Sequence, residues 1–412
     1  MLVIAAALVG PGVATAEPAP DAPTSPQAVI EWSTEAQRAI VGGAGKSPPE
    51  AAVLMGIVHA AVYDTVVAIE GGARPYAIRP TVPTGASAEA ATAAAAHRVL
   101  VGLLPAQRST LDANYAAYLS RLPDDDARTG GVAVGEEVAA GILALRADDG
   151  RDDVVPYIQA PPGPGVYEPT APFPPVGTNI GGITPLTLPR ADLFRPPGPP
   201  ELTSDRYARD VNEVAARGGT PPTHTPMERA TVRVWADHGI PLWNRTLFRV
   251  IDDRDLSRLE AARLLVMAHA SGADAMIGCF HAKYHHLFWR PVHAIRRADT
   301  DGNDATQANP SWTPVLGTPN HPEYPAAHNC HSTAVATAIA QFFGTEEVAI
   351  TVDSVITGEV RTFDRLSEAV TDVVEARILG GVHFRSSAQD GAALGTDIAR
   401  FATTTQFTRT SP

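Results

Sequence analysis

The fold and the candidate site of this chain are best interpreted starting from residues 322–343, PEYPAAHNCHSTAVATAIAQFF. Prolines stiffen the start of the stretch, two alanines follow, and small residues that favour helix begin at His328. We therefore predict a helix over residues 328–343. The N-terminus of a helix offers unpaired N–H groups and the positive end of its dipole, so it is a natural site for an anion. A histidine in that first turn can transfer a proton to a bound anion, although an isolated histidine there more often only caps a packed helix.

The composition is that of an acidic globular protein. The chain has 412 residues, of which 44% are hydrophobic and 19% are charged, and its formal net charge is −13. A chain of this length can bury a substantial core. The net negative charge argues against a nucleic-acid partner and against binding to an anionic membrane surface.

The first residues have the pattern of a secretory leader. An apolar run over residues 2–9 precedes a small-x-small site at residues 14–16. This predicts a signal peptide over residues 1–16 and a mature start at Glu17. We therefore predict a secreted, soluble protein, with an N-terminal lipid or membrane anchor as the alternative. No later run is expected to reach the about 18–20 apolar residues that a membrane span needs.

The chain contains two cysteines, Cys279 and Cys330. Export would permit a disulfide between them, and both flank the candidate chemistry, so contact is plausible. The sequence leaves their pairing open. Neither stands in a Cys-x-x-Cys motif or in a zinc-binding spacing.

Helical periodicity dominates the chain. Residues 17–46 read as a lead-in, residues 47–148 as an N-terminal helical part, and residues 149–200 as a long Pro- and Gly-rich loop. Residues 201–412 form a C-terminal helical part that carries the candidate site and packs with the N-terminal helices as one unit. The predicted fold class is mainly α, with one or more helical bundles joined by long loops.

The strongest single helix prediction begins at Asp255, which we take as its cap, and continues to residue 288 with an apolar stripe. His59 and Asp64, in an apolar helix nearer the start, read as satisfied polar groups in the core. Short β-prone runs occur at residues 349–356 and 359–363. The other predicted helices cover residues 28–41, 49–70, 86–104, 106–122, 125–148, 202–217, 226–238, 242–251, 364–379 and 387–402.

Residues 281–297, HAKYHHLFWRPVHAIRR, are strongly basic within an acidic chain. Lys283 and Arg290 are almost two helical turns apart, so they share one face if the helix continues between them. Pro291 then ends or perturbs that helix. A solvated basic face is the alternative, but the neighbouring aromatic residues favour burial, and buried cations need an anion.

A third basic segment runs from Arg377 to His383. Gly380 and Gly381 lie between them and allow the chain to turn, so that both side chains can converge. An imidazole there can act as a nucleophile or as a ligand through one ring nitrogen. No carboxylate cluster suited to Mg²⁺ or Ca²⁺ is evident. The sequence therefore predicts a pocket for a tetrahedral oxyanion, formed by Lys283, Arg290, His328, Arg377, His383 and N–H groups at a helix start.

These three segments together resemble the signature of the vanadium-dependent haloperoxidases and the related type 2 phosphatidic acid phosphatases. The motifs are Lys283-x6-Arg290-Pro291, Pro325-Ala-Ala-His328 and Arg377-x5-His383, and the resemblance covers about residues 260–400. It is closest to the bacterial secreted haloperoxidase branch and implies an α-helical fold with vanadate as cofactor. It also implies hydrogen peroxide, a halide and a small organic acceptor as partners.

The resemblance assigns a role to each site residue. It implies that Lys283, Arg290 and Arg377 hold the equatorial vanadate oxygens and that the Ala327 N–H also donates to the anion. Lys283 would also be catalytic, because its positive charge would withdraw electron density from the peroxo oxygen. His383 would bind vanadium, or would be the nucleophile of a phosphatase. His328 would be the acid–base residue. The other histidines near the pocket, His285, His286, His293 and His331, receive no role and are expected at the surface or behind the site.

The sequence departs from the family pattern at two places. Ala326 and Ala327 stand where Ser-Gly is usual, which removes a hydroxyl worth about 1.5–3 kcal/mol to a charged acceptor. Ser387 stands where the phosphatases have an aspartate that orients the nucleophilic histidine, and Asp390 is out of register. This absence of a carboxylate favours a haloperoxidase over a phosphatase. His321, seven residues before His328, resembles the bromoperoxidases and indicates bromide or iodide as the halide.

The preferred hypothesis is a secreted vanadate-dependent haloperoxidase that oxidises bromide or iodide with hydrogen peroxide. One alternative is an exported acid phosphatase with a phosphohistidine intermediate. The other is an inactive homologue that only binds an oxyanion. The sequence leaves the oligomeric state open.

Overall fold

Helix α9 (Arg258–His286) runs through the centre of the protein in a computed structural model that describes residues 25–410. Ser257 caps α9, since its hydroxyl oxygen accepts a hydrogen bond from the Glu260 N–H. The Glu260 carboxylate in turn accepts bonds from the N–H and the hydroxyl of Ser257, which completes a capping box. The prediction that Asp255 caps this helix was wrong, because Asp255 lies in the preceding turn with φ of 46°. Most side chains of α9 are buried, since other helices pack on several sides of it.

The described residues form thirteen α-helices and one short antiparallel hairpin, so the mainly α prediction is confirmed. The remaining helices are α1 (Gln27–Gln37, continued by a π-helical turn over Arg38–Gly43), α2 (Pro48–Glu70), α3 (Ala88–Leu103), α4 (Arg108–Leu119), α5 (Asp126–Leu145), α6 (Asp205–Arg217), α7 (Pro226–Val234), α8 (Gly239–Asp253), α10 (Pro291–Arg296), α11 (Ala327–Phe343), α12 (Leu366–Leu379) and α13 (Arg385–Thr405). The hairpin pairs β1 (Ile350–Asp353) with β2 (Val360–Phe363), and 3-10 turns occur at Pro105–Gln107, Ile180–Gly182 and Ala298–Thr300.

Helices α2, α11 and α13 pack directly on α9, and α3 and α5 complete the N-terminal side. The contact between α11 and α13 is close because two glycines of α13 face the backbone of the first turns of α11. A Cβ added at Gly391 would lie 2.7 Å from the Ala326 carbonyl oxygen, and one at Gly395 would lie 2.3 Å from that of Cys330. Any side chain at these positions would push the start of α11 out of place.

Helix α2 is long and apolar enough to cross a membrane, contrary to the expectation that no later run reaches that length. Its side chains are buried against α3 and α9 within the protein. Asp64 is satisfied as predicted for a core position, whereas His59 is satisfied at only one ring nitrogen, because its buried Nδ1 has no partner. Asp64 accepts bonds from the N–H groups of residues 76–78, and the His59 Nε2 lies 3.0 Å from the Ser33 Oγ.

The long loop over residues 149–200 is fixed to the helical core by specific hydrogen bonds. Asp274, fully buried on α9, accepts bonds from the N–H groups of Leu186, Thr187 and Leu188 at 2.6, 2.8 and 3.3 Å. Tyr167 donates its N–H to the Leu287 carbonyl at 2.7 Å. The loop therefore crosses the end of α9 that carries the candidate site. The predicted signal peptide, residues 1–16, lies outside the described residues.

Candidate active site

His328 is the second residue of α11, close to the predicted start of this helix. Ala326 is the N-cap residue, and its own N–H donates to the Ser387 carbonyl oxygen at 3.1 Å. The N–H groups of Ala327 and His328 come first in the helix and have no acceptor within it. Two backbone donors and one imidazole therefore lie together at the positive end of the α11 dipole.

Lys283 approaches this helix start from the last turn of α9. Its side chain is fully buried, and its Nζ donates to the carbonyl oxygens of Pro322 at 2.8 Å and Glu323 at 2.9 Å. Burial lowers the pKa of Lys283 to about 8. The ammonium group is therefore held against the loop that leads into α11, at a large cost in hydration.

Arg290 reaches the same place, but from a different element than the sequence indicated. α9 ends at His286 and Leu287 adopts a left-handed conformation, so the expectation that Lys283 and Arg290 share one helix face was wrong. Arg290 is instead the N-cap residue of α10. Its guanidinium donates to the carbonyl oxygens of His321 at 2.8 Å and Val382 at 2.9 Å, and burial lowers its pKa to about 10.

Arg377 enters from the last turn of α12. One guanidinium nitrogen donates to the Trp235 carbonyl oxygen at 2.6 Å, while its buried Nε has no partner. Burial alone lowers the pKa of Arg377 to about 10. Within residues 25–410, none of the three site cations forms a salt bridge with a carboxylate. Three buried cations without an ion pair favour an anion supplied from outside the chain.

His383 lies in the turn between α12 and α13, where Gly381 has a positive φ of 73°, so this turn forms as predicted. Its Nδ1 lies 2.9 Å from the Glu323 Oε1, which also accepts the Phe384 N–H at 3.0 Å. An oxygen that already accepts the backbone N–H favours the tautomer in which Nδ1 carries the proton. The His383 Nε2 then holds a lone pair, and it faces the Arg290 guanidinium at 3.1 Å.

The Glu323–His383 pair overturns one argument made from sequence. The absence of an aspartate at Ser387 was taken to mean that no carboxylate orients His383, and this was wrong because Glu323 supplies one from another segment. Glu323 is fully buried, and burial raises its pKa to about 7 although Lys283 and Arg290 oppose the rise. No local sequence pattern indicates this contact, because Glu323 and His383 are 60 residues apart in the chain.

The imidazole of His328 has no hydrogen bond to any residue in the described part of the chain, and it is partly exposed. Burial and the charge of Arg377 hold its pKa well below the ordinary value. The ring is therefore neutral at neutral pH and has a free nitrogen for a ligand. Its exposed side opens into a cavity of about 320 Å³.

Two further residues that received no role, or only a hint, lie at the site. His321 is buried and its Nδ1 lies 3.0 Å from an Arg290 nitrogen. His331, one helical turn beyond His328, was expected at the surface or behind the site, but it is buried and lines the cavity with its Nδ1 side, while its unpartnered Nε2 lies against Gly272 of α9. Cys279 and Cys330 are both buried and lie within hydrogen-bond contact of each other, and no disulfide joins them.

The donor set fits a tetrahedral oxyanion such as vanadate or phosphate. It combines an unpartnered arginine nitrogen, two free helix N–H groups and two further cations that now bond only to backbone carbonyls or imidazoles. Ala327 has an ordinary helical backbone, so its N–H remains available despite the loss of the usual glycine. The serine hydroxyl that Ala326 lacks has no substitute side chain at that position.

Comparison with known proteins agrees with this geometry. Residues 263–410 match the family model described as the VCPO second helical-bundle domain. A bacterial vanadium-dependent iodoperoxidase is similar over 96% of this chain and 100% of its own, with 22% identity and a TM-score of 0.79. A bacterial vanadium-dependent chloroperoxidase is similar in its apo form over 87% of this chain and 94% of its own, with 17% identity and a TM-score of 0.70.

The holo form of a bacterial chloroperoxidase gives the same TM-score of 0.70, with 18% identity over 87% of this chain and 92% of its own. No curated protein matches the chain in sequence. The fold implied by the resemblance of the three motifs is thus confirmed. The chain has the helical fold of these enzymes, and its residues 263–410 match one of their helical-bundle domains.

Proposed function

We propose that the protein is a vanadate-dependent haloperoxidase that oxidises a halide with hydrogen peroxide. The observation that carries this proposal is the set of three buried cations without a carboxylate partner, placed around a helix start and an unprotonated histidine nitrogen. Such a set is unfavourable unless an anion binds there. The structural neighbours are vanadium-dependent peroxidases, which supports vanadate as that anion.

Each residue has a defined task in this proposal. Lys283, Arg290 and Arg377 neutralise the charge of the vanadate oxygens, and the Ala327 N–H adds a backbone donor. The Nε2 of His383 would hold the vanadium of bound vanadate. His328 is neutral in the free protein and can accept a proton from peroxide and return it to a departing oxygen. Bound vanadate would supply the Lewis-acid activation of peroxide.

Glu323 tunes the ligand nitrogen of His383. By accepting the Nδ1 proton, it fixes the tautomer and raises the electron density on Nε2. Its own pKa of about 7 means that the negative charge behind the ring develops as the pH rises through neutrality. We therefore expect the pH profile of activity to contain an inflection that belongs to this pair.

Bromide or iodide is the proposed halide. His321 lies against Arg290 and lines the cavity, so its imidazole is near any halide that approaches the oxyanion site. A similar structure is that of an iodoperoxidase, which supports the same choice. We further propose that residues 1–16 direct secretion, which predicts an exported protein that begins at Glu17. N-terminal sequencing of protein from the culture medium tests this cleavage.

An acid phosphatase is the second candidate, and the Glu323–His383 contact favours it specifically. A carboxylate on Nδ1 would stabilise the cationic ring during formation of a phosphohistidine at Nε2. His328 would then protonate the leaving group. The same residues serve both reactions, so the choice between them is made by whether the protein binds vanadate or a phosphate ester.

Paired assays separate the candidates. Purified protein is incubated with orthovanadate, hydrogen peroxide and iodide or bromide, and halide oxidation is followed through a dye. Release of p-nitrophenol from p-nitrophenyl phosphate is measured in parallel without vanadate. His383→Ala is the test variant. His97→Ala is the matched control, because His97 lies on α3 and pairs with Asp112, away from the site.

Halide oxidation that needs vanadate, is lost in His383→Ala and persists in His97→Ala is the expected result. Phosphate release without halide oxidation would replace the first proposal by the second. If neither reaction occurs and orthovanadate does not raise the melting temperature, the oxyanion-binding hypothesis fails as well.

A further inference from the structure

The cavity beside His328 has a composition that the oxyanion chemistry does not require. It measures about 320 Å³ and is walled mainly by apolar side chains, among them Pro49, Phe173, Ile240, Met276 and Phe280. Phe173 is 55% exposed, so this residue of the long loop stands at the mouth. The volume lies in the range of small-molecule sites, and apolar cavities of about half that size bind benzene.

The cavity is separate from the cations that hold the oxyanion. Lys283, Arg290 and Arg377 are not among its lining residues, whereas His328 and His331 are. Other polar groups on its wall are already engaged, since the Ser332 Oγ accepts from the Trp243 Nε1 at 3.0 Å. His331 turns its Nδ1 towards the cavity, since a Cβ added at the lining residue Gly239 would lie 3.5 Å from that atom, and no residue of the described chain hydrogen-bonds to it. A ring nitrogen without a partner in a mainly apolar cavity favours a ligand that carries one hydrogen-bonding group.

We propose that this cavity binds the organic acceptor, an uncharged molecule of one or two aromatic rings with a single hydroxyl or N–H group. The rings fill the apolar space, and the polar group bonds to the His331 Nδ1. This proposal rests on the proposed haloperoxidase function. Halogenation then occurs in the cavity: the acceptor loses a ring hydrogen and gains the halogen, and hypohalous acid gives up its oxygen as water. The hypohalous acid is consumed before it reaches solvent.

Met276 provides an internal reporter for where the oxidant is formed. It lines the cavity and is 4% exposed, whereas Met227 on α7 is 63% exposed and lies on the outside. A thioether takes the oxygen of hypobromous acid to give a sulfoxide, and two electrons from sulfur reduce the bromine to bromide with release of a proton. Oxidant in bulk solvent reaches Met227 first, and oxidant formed in the cavity reaches Met276 first.

The first experiment measures sulfoxide at both methionines by peptide mass spectrometry during turnover of the vanadate-loaded protein. Without an acceptor, we expect Met276 to be oxidised ahead of Met227, and reagent hypobromite to reverse this order. Adding 2-naphthol should protect Met276 by at least about tenfold and leave Met227 unprotected. Oxidation of Met227 with Met276 intact, or equal protection of both, would overturn the proposal.

The second experiment does not depend on turnover, so it can fail independently of the proposed function. Equilibrium dialysis of 2-naphthol with vanadate-free protein measures binding directly. A Cβ added at Gly239 would make only ordinary contacts with His331, at 3.5 Å, so Gly239→Leu should fill the cavity without displacing the backbone. Gly42→Leu is the matched control, because nothing lies within 4 Å of an added Cβ there.

We expect Gly239→Leu to weaken 2-naphthol binding by at least about tenfold and Gly42→Leu to leave it unchanged. Equal binding by both variants would overturn the cavity assignment. If the wild-type protein binds 2-naphthol but oxidises no halide, the proposed function fails while the site for an aromatic ligand stands.

Discussion

Replacing Arg377 with methionine tests whether the site is built for an anion at the expense of stability. Burial lowers the pKa of Arg377 from the ordinary value of an arginine to about 10. A fall of this size corresponds to roughly 3 kcal/mol of destabilisation, at about 1.4 kcal/mol per tenfold change. Because the folded-state pKa is the lower one, the penalty is fully present below about pH 10 and disappears only above the unfolded value.

The substitution also removes a partner from the Trp235 carbonyl, which costs about 1–3 kcal/mol. It also removes the buried Nε of Arg377 that has no partner. The free energy gained by removing the buried charge and this nitrogen therefore exceeds the free energy lost with the Trp235 hydrogen bond. We expect Arg377→Met to stabilise the vanadate-free protein at pH 7 by about 1–2 kcal/mol. Loss of one buried charge-assisted contact should weaken vanadate binding by about 2–5 kcal/mol, or at least about thirtyfold.

The assay is urea unfolding and thermal unfolding with and without orthovanadate. Arg146→Met is the matched control, because this buried arginine pairs with Asp149 at 2.8 Å. Breaking that pair should destabilise the protein by about 3–5 kcal/mol. If Arg377 serves to bind the anion, the Arg377→Met variant should have a higher melting temperature than the wild type without vanadate. Orthovanadate should then raise its melting temperature by less than it raises that of the wild type. If Arg377→Met destabilises the protein as Arg146→Met does and leaves the vanadate shift intact, Arg377 is a structural residue.

Three further outcomes follow from the geometry. Glu323→Gln keeps an acceptor for the His383 Nδ1 but removes the negative charge. We therefore expect halide oxidation to fall by about 10–100-fold and the pH profile of activity to lose its inflection near pH 7. An unchanged pH profile would contradict the tuning role of Glu323. Vanadate affinity should fall as the pH rises through about 8, where Lys283 loses its proton, and Lys283→Gln should remove this dependence in equilibrium binding. Asp274→Ala leaves three loop N–H groups without their acceptor, so urea unfolding should show a loss of about 3–5 kcal/mol, and a loss below about 1 kcal/mol would mean that water replaces the carboxylate.

Much of the fold could be predicted because long helices carry a clear apolar period. The turn at Gly381 was also predictable, since a glycine pair after a helix indicates a left-handed residue. The end of α9 was not, because it depends on Leu287, a residue type that rarely takes a positive φ. Arg290 consequently reaches the site from α10 instead of α9. The cap of α9 could have been predicted correctly, since Ser257-x-x-Glu260 is a capping-box pattern in the sequence.

Within the site, too, the sequence predicts some features and not others. The basic residues could be found because buried cations near aromatic residues are unusual in an acidic chain. The pairing of Glu323 with His383 joins positions 60 residues apart, and no local pattern reports such a contact. The apolar wall of the cavity comes from α2, α8, α9 and the long loop, which only the tertiary packing brings together. The charged residues and histidines of the site were therefore easier to predict from sequence than the apolar cavity beside them.

The two glycines of α13 that touch the start of α11 set a limit on how this protein can be reduced or redesigned. Grafting the oxyanion site into a smaller scaffold requires α13 in addition to the helices that carry the anion-binding residues, since residues near the far end of the polypeptide shape the position of the proton-transfer histidine. A deletion variant that stops ahead of Gly391 would retain every proposed anion ligand and still misplace that histidine.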